Sequence, residues 1–467
     1  MIAKDFKINN TKLLNLVFAF FPISLILGNL VTNLNILLFC CLGIFYLKSH
    51  IIKTKFDFPI KIIFLLFILI FFSTFLSFIQ SLYFGYYDDK ELTKLTKSLL
   101  FFRYFLMLII VYLLNKFNFL NFNNFFIAAA FSGIIVSIDV IYQYIFGYNI
   151  IGLKSHGHHN SSFFGDELIA GGFIQNFSMF SILACFFLLR DIKKINFIIL
   201  ITLVCILGFA ILVSGNRMSM LLFILGLFLL FLFSSKLRLI TVLSFVILSV
   251  VFKFSISSDT NLEIRYKSFY DTITGTISST IYKMKNISKK ESKNASKSDS
   301  EDNEGSTYRA LFPSESSHKR LFLAAIDTWA KNKIFGNGIK SFREDCKKLE
   351  GPEYNLTGAI IKSKKNRLCS NHPHNYYVEI LTETGIVGFS ASLITAFLFL
   401  FFIYNNFKYL KEDKENNLIL LAAVISLFVE MFPFKSTGSI FTTNNTTYII
   451  LMSSMVLSYK KLLNFKN

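Results

Sequence analysis

The chain has 467 residues, 53% of them hydrophobic and only 16% charged, with 57 phenylalanines and a mean hydropathy of +0.54. Soluble domains carry about 25% charged residues, so the composition excludes an ordinary soluble enzyme. Short alternating segments are absent, which excludes a membrane β-barrel. The formal net charge of +19 does not call for nucleic acid as a partner, because Lys and Arg gather between apolar runs, where they orient helices.

The predicted fold is an all-α polytopic membrane protein. Apolar runs of about 18–20 residues, the length that crosses a bilayer as a helix, recur along the chain. About twelve spans are expected, near 13–30, 31–47, 60–82, 98–114, 125–146, 170–189, 195–213, 218–234, 238–256, 385–404, 417–433 and 445–459. A tight polar turn, "GNLVTNLN", separates the first two. No cleavable leader is read, since the first run leads straight into the second.

Lys and Arg weight the short segments that share a side with the N-terminus. This predicts both termini in the cytoplasm and 83–97, 147–169, 214–217, 257–384 and 434–444 outside it. Three regions follow: spans 1–9 over 1–256, one large external loop over 257–384, and spans 10–12 over 385–467. Within the loop, "MKNISKKESKNASKSDSEDNEGS" (284–306) is almost devoid of apolar residues and reads as a disordered insert. After it, "HKRLFLAAIDTWAKNKIFG" spaces Leu321, Ala324, Ala325, Thr328 and Trp329 as a helix of about 14 residues, stopped at Gly336. Cys40, Cys41, Cys185 and Cys205 fall in apolar runs as packing residues. Cys346 and Cys369 share the external loop, where a disulfide and two free thiols both fit the sequence.

No phosphate-binding loop and no dinucleotide fingerprint occurs. Polar residues gather instead on the external side, in "NHPHNYYVEILTETGIVGF" (371–389). Pro373 suits a first helical turn, which puts His374 at a helix N-terminus, where anions are attracted and a histidine can act as a base. Capping or anchoring by His372 and His374 is the plainer reading of the same residues. Glu379 and Glu383 form an i,i+4 pair on another face from Tyr377, Val378 and Leu381. Arg217, in "LVSGNRMSMLLF", sits between two apolar runs, either snorkelling to the headgroups or clamping phosphate. Arg320 lies in the external helix beside His318 and Lys319. Arg103 lies inside a span, near its outer end, and is a functional candidate on that ground. "KSHGHHNSSFFGDE" (154–167) offers His156, His158, His159 and Asp166, but in no closed zinc spacing, so no metal is expected.

These residues resemble the bacterial O-antigen ligase and polymerase family. His374-Asn375, nine residues, Gly385, two residues and Gly388 match its H-[NSQ]-x9-G-x-x-G pattern without a gap. "SGNR" is similar to its first arginine segment and "HKRLFLAAIDTW…FGNGIKSF" to its loop helix. The motifs cover roughly Arg217 to Gly388, and the rest agrees by topology. The insert at 284–306 departs from the family's compact loop. The resemblance implies a GT-C-like fold in the bacterial inner membrane, with the large periplasmic loop between helices 9 and 10 and the site facing the periplasm.

It also implies a membrane glycosyltransferase that uses a glycan on undecaprenyl diphosphate. The leading expectation is an O-antigen ligase with lipid A-core as acceptor. An O-antigen polymerase and a protein O-oligosaccharyltransferase are the alternatives within the family. A transporter would place ionisable residues along several spans, and Arg103 and Asp139 are nearly all there are. Diphosphate is a good leaving group, so a base and cationic stabilisation suffice. His374 is expected as the base, with Arg217 and Arg320 on the diphosphate and Asn375, Arg103 and Tyr376 as secondary candidates. Inversion at the anomeric carbon, and no cofactor, are expected.

Overall fold

A computed structural model describes residues 11–48, 50–85, 88–156, 159–189, 194–260, 262–264, 266–267, 317–349, 353–354, 360–361, 368–412 and 414–459. The expected insert at 284–306, and His158, lie outside these residues. Among those described, each expected span is a helix or helix pair: α1 (Lys12–Ala19), α2 (Phe21–Leu27), α3 (Asn29–Leu47), α4 (Phe58–Tyr83), α5 (Asp89–Lys116), α6 (Asn123–Phe146), α7 (Ala170–Leu188), α8 (Lys194–Val213), α9 (Arg217–Phe233) and α10 (Arg238–Ser258). The loop contributes α11 (Ser317–Lys331), the short α12 (Phe342–Asp345) and a two-residue ladder of β1 (Glu353–Tyr354) with β2 (Ile360–Ile361). α13 (Tyr376–Asn405), α14 (Glu415–Glu430) and α15 (Thr443–Leu457) follow.

Eight of these helices are long and apolar enough to cross a membrane, and α9, at 17 residues, falls just short. The chain is a multi-pass α-helical membrane protein. Its first expected span is interrupted: α1 and α2 meet at Phe20 with Pro22 in the first turn of α2, and Gly28 at φ 99° turns the chain into α3. The bundle core is aromatic, with Phe18, Phe39, Phe125, Phe177 and Phe180 fully buried. α6 packs on α7, α7 on α14, α5 on α15, and α13 on α4. Large side chains face outward on the periphery, such as Leu30, Phe254 and Phe397, where lipid rather than water is the solvent.

Buried polar groups collect at one end of the bundle. Asp139, expected from sequence only as an intramembrane charge, is an anchor there. Its carboxylate accepts from Ser162 Oγ (2.5 Å), Asn149 Nδ2 (3.3 Å) and the Ile150 N–H (2.9 Å), and so folds the loop between α6 and α7.

The most consequential feature is a break in α13. Gly385 adopts φ 66°, ψ −169°, so the helix runs to Thr384, stops, and resumes as the membrane span. The chain between α11 and α12 lies in that break. Ile386 and Val387 donate their N–H groups to the carbonyls of Lys333 (2.9 Å) and Ile334 (3.2 Å). The Glu383 carbonyl accepts from the Gly338 N–H (2.8 Å) and Ser73 Oγ (2.7 Å). Ser73 also bonds the Phe335 carbonyl, and Thr74 Oγ1 accepts from the Ile339 N–H (2.9 Å). A methyl group on Gly385 would overlap the Ile334 carbonyl, and one on Gly336 would overlap Glu383. Gly388, the second glycine of the motif, clears the Thr384 side chain one turn away.

Gly385→Ala should therefore destabilise the protein in detergent. This positive-φ backbone with extended ψ, open essentially to glycine alone, costs a side chain about 1–3 kcal/mol, and the overlap adds to it. A thermal unfolding midpoint equal to the parent's would show that the break is not held this way.

Candidate functional site

His374 stands where α13 begins, beside the loop helices. The helix starts at Tyr376, three residues past Pro373, because Asn375 and not the proline sets its first turn. Asn375 is the N-cap. Its Oδ1 accepts from the N–H groups of Tyr377 (3.0 Å) and Val378 (3.1 Å), and its Nδ2 donates to the carbonyls of Pro433 (2.7 Å) and Lys435 (3.4 Å). A cap residue satisfies N–H groups that the helix leaves open. Here it also ties α13 to the α14–α15 connection. Neither histidine caps the helix.

His374 itself has φ 59°, in the left-handed region. That conformation is uncommon for a side chain and persists only where surroundings over-determine it. Two contacts do so: the His374 carbonyl accepts from the Thr437 N–H (3.1 Å), and Asn375 is fixed next to it.

Three imidazoles meet at this point. The His372 and His374 rings lie 4.3 Å apart between centroids, and the His318 ring stands edge-on to His374 at 6.2 Å. Burial lowers the pKa of each. For His374, His318 adds to the effect of burial, and a hydrogen bond with the Thr437 backbone opposes it. His372 is pushed down to about 4 by burial, then by His374 and by the Arg343 charge. His318 is lowered by burial and then by the Arg217 guanidinium. All three shifts favour the neutral imidazole, the form a general base requires.

The predicted residues divide on inspection. Arg217, the first residue of α9, is close enough to His318 to act on its proton affinity, so it belongs to the same group as His374. Arg320 is on α11 two residues from His318, about 200° around the helix. Its carbonyl accepts from the Leu368 N–H (3.5 Å). Arg103 is not near the end of its helix but midway along the 28 residues of α5. Its guanidinium donates to the Leu100 carbonyl (2.8 Å) and Tyr104 Oη (2.7 Å) and lies over the Tyr104 ring. Tyr376 points into the bundle, where its hydroxyl donates to Glu430 (2.7 Å) and accepts from Thr437 Oγ1 (3.2 Å). Glu430 is also paired with Lys435 (2.5 Å). Both contacts make Tyr376 a support for His374's neighbourhood. In the histidine-rich loop, His156 meets Asp166 (3.5 Å), whereas His159 bonds the Ser214 carbonyl (3.3 Å).

Cys346 and Cys369 are disulfide-bonded, with Cα atoms 5.7 Å apart. The bond joins the chain just after α12 to the chain just before His372. It caps a small core of Ala324, Ala325 and Phe342 under Leu349 and Val378. Through it, three residues on either side, Arg343 and His372 are held in one place.

Residues missed by sequence reasoning are those that join elements distant in the chain. Glu379 and Glu383, expected only as an i,i+4 pair on one helix face, are both buried. Glu379 accepts from the Ile440 N–H (2.8 Å), and Glu383 accepts from the Lys340 N–H (2.6 Å). Each carboxylate thus pulls a separate connection onto α13. The four-residue spacing with apolar flanks was the available signal. Arg343 and Lys340, in "GIKSFRED", carried none.

Residues 201–393 match the family model described as O-antigen ligase. The matched segment contains Arg217, His318, Arg320, Arg343, His374, Gly385 and Gly388. No curated protein matches the chain.

Two outcomes follow. Asn375→Ala removes the cap and should cost about 1 kcal/mol; a loss of activity without any loss of stability would mean that Asn375 acts on substrate instead. Replacing Cys346 and Cys369 by serine should speed hydrogen exchange over 368–376, while unchanged exchange there would show that the disulfide does not hold this segment.

Proposed function

We propose that the chain, whose residues 201–393 match the O-antigen ligase family model, is a membrane enzyme of the O-antigen ligase and polymerase class acting on lipid-linked glycans, and within that class the ligase. It moves a glycan from undecaprenyl diphosphate to lipid A-core at the periplasmic face of the bacterial inner membrane, with both termini in the cytoplasm. The observation that carries this reading is the His374 imidazole. It is half-buried and fixed at the N-terminus of α13, its proton affinity lowered by burial, with the His318 ring at 6.2 Å and the Arg217 charge acting on His318.

His374 takes the proton of the acceptor hydroxyl as that oxygen bonds the anomeric carbon. The bond from that carbon to the diphosphate breaks, and its electron pair leaves with the diphosphate. Attack opposite the leaving group inverts the centre. Arg217 and Arg320 hold the departing charge, which a guanidinium can bind bidentately. The helix N-terminus adds its own positive end. No second carboxyl group is needed, in contrast to the hydrolysis of an ordinary glycoside.

A cavity of about 620 Å³ supports a lipid-linked donor. It lies between α4, α5, α13, α14 and α15, is lined mainly by Phe, Ile and Leu, and reaches Ile380, Met431 and Ile440 next to the site. An isoprenoid chain suits such a wall. A more polar cavity of about 480 Å³, by Asn15, Asn115 and Asn121, is at the opposite end of the bundle and takes none of these residues.

His374→Ala should lower the transfer rate roughly 10²–10⁴-fold, the usual contribution of a general base. In a deletion strain, ligase loss leaves bare core with polymer on the carrier, whereas polymerase loss leaves core bearing one repeat. Full-length polysaccharide restored by His374→Ala would remove the assignment of the base. The pH profile gives a second check. A base whose pKa is lowered stays active below its ordinary value near 6.5, so the acid limb should lie under that pH. His318→Gln removes one cause of the lowering and should move the limb upward; a downward shift would contradict the arrangement.

A further inference from the structure

A group of basic residues lies near His372. Lys340 precedes α12, held at φ 58° with its N–H on Glu383. Arg343 is the second residue of α12. The start of α5 abuts the same turn, since Lys90 Nζ is 3.9 Å from Glu344 Oε2, and Lys97 follows two turns along α5. The neighbouring carboxylates each have a partner. Glu91 pairs with Lys94 (2.6 Å), Asp345 with Lys348 (3.5 Å) and Glu344 with Lys90, while the buried Glu379 and Glu383 accept backbone N–H groups, Glu383 through one oxygen only, its Oε1 having no hydrogen-bond partner.

Among the described residues, Arg343, Lys340 and Lys97 make no ion pair. Burial, then the Arg343 and Lys97 charges, lower the pKa of Lys340, with Glu383 and Glu379 opposing. The Arg343 charge also reaches His372. Arg343 Nε, a buried donor, has no hydrogen-bond partner, and neither has His372 Nε2, whose role follows from the tautomer; the His372 ring also hydrogen-bonds the Thr437 backbone. Lys340 and Arg343 are half-buried and Lys97 is exposed, and like charges side by side repel. A donor left open beside them fits an anion with several acceptor oxygens.

We propose that Arg343, Lys340 and Lys97, with the His372 imidazole, form a second anion site that binds a phosphate group beside the transfer centre. Arg343 offers the planar fork that matches phosphate and the two lysines add point charges, while His372 Nε2 meets the phosphate as donor or acceptor according to its tautomer. The site adjoins His374 through Pro373, so a phosphate seated there fixes a lipid headgroup within reach of the base. Which lipid supplies the phosphate rests on the glycosyl-transfer reading: the carrier diphosphate or a phosphorylated acceptor.

The test uses the full-length protein in nanodiscs of zwitterionic lipid, with inorganic pyrophosphate titrated by calorimetry, so it does not depend on activity. Arg343→Gln with Lys340→Gln should weaken binding about tenfold or more, the worth of a charged hydrogen bond. Arg343→Lys, which keeps the charge, should recover part of it and shows that the fold is intact. Equal affinity in the parent and the double variant overturns the site. Transfer assays then assign the source. A raised KM for the phosphorylated acceptor alone, absent with a dephosphorylated acceptor, identifies the acceptor. A raised KM for the donor identifies the carrier.

Discussion

The arrangement depends on one broken helix. Inside a membrane every backbone polar group must find a partner, and a helix that stops at Gly385 releases several. They are recovered by a stretch of the loop, Lys333–Gly338, and by the Ser73 hydroxyl of α4, while Thr74 of α4 accepts the Ile339 N–H of that stretch. Neither partner can be moved without exposing the other. Gly385 and Gly336 are where the two backbones approach too closely for any side chain. The large loop is therefore not a separate appendage. Its helices are bonded into the gap in α13.

Everything near His374 inherits that lock. α11 and α12 pack on the first two turns of α13, the disulfide ties α12 to the residues before His372, and Asn375 ties the helix start to the α14–α15 connection. Glu379 and Glu383 bind a different connection each, which is a use of buried carboxylates for registration, as with Asp139 at the α6–α7 loop. The result is a rigid rim on which a left-handed histidine can be held. Rigid first contacts with locked supports are what positions a base to within fractions of an ångström.

Much of this was legible in the sequence. Apolar run lengths located the helices, because a bilayer imposes length directly. The count of nine from His374-Asn375 to Gly385 pointed to the site. Its structural meaning is two and a half turns of helix between a cap and a break, which the count alone does not reveal. The role of Asn375 was hidden, since its carbonyl partners, Pro433 and Lys435, are about 60 residues away. The roles of Glu379 and Glu383 were hidden for the same reason: their partners, Ile440 and Lys340, come from other connections. Arg103 was placed at the outer end of its span because the polar first turns of α5 do not look helical by hydropathy, although Asp88 caps them. Local pattern reports the helix; long-range pairing decides what its polar residues do.

The most direct test is a single turnover by the reconstituted protein, with a defined glycan on undecaprenyl diphosphate and lipid A-core as acceptor, the new linkage read by NMR. The account predicts an inverted anomeric centre in the product and release of one undecaprenyl diphosphate per linkage formed. Retained configuration, which requires a covalent glycosyl intermediate, would contradict a mechanism built on His374 as a base toward the acceptor.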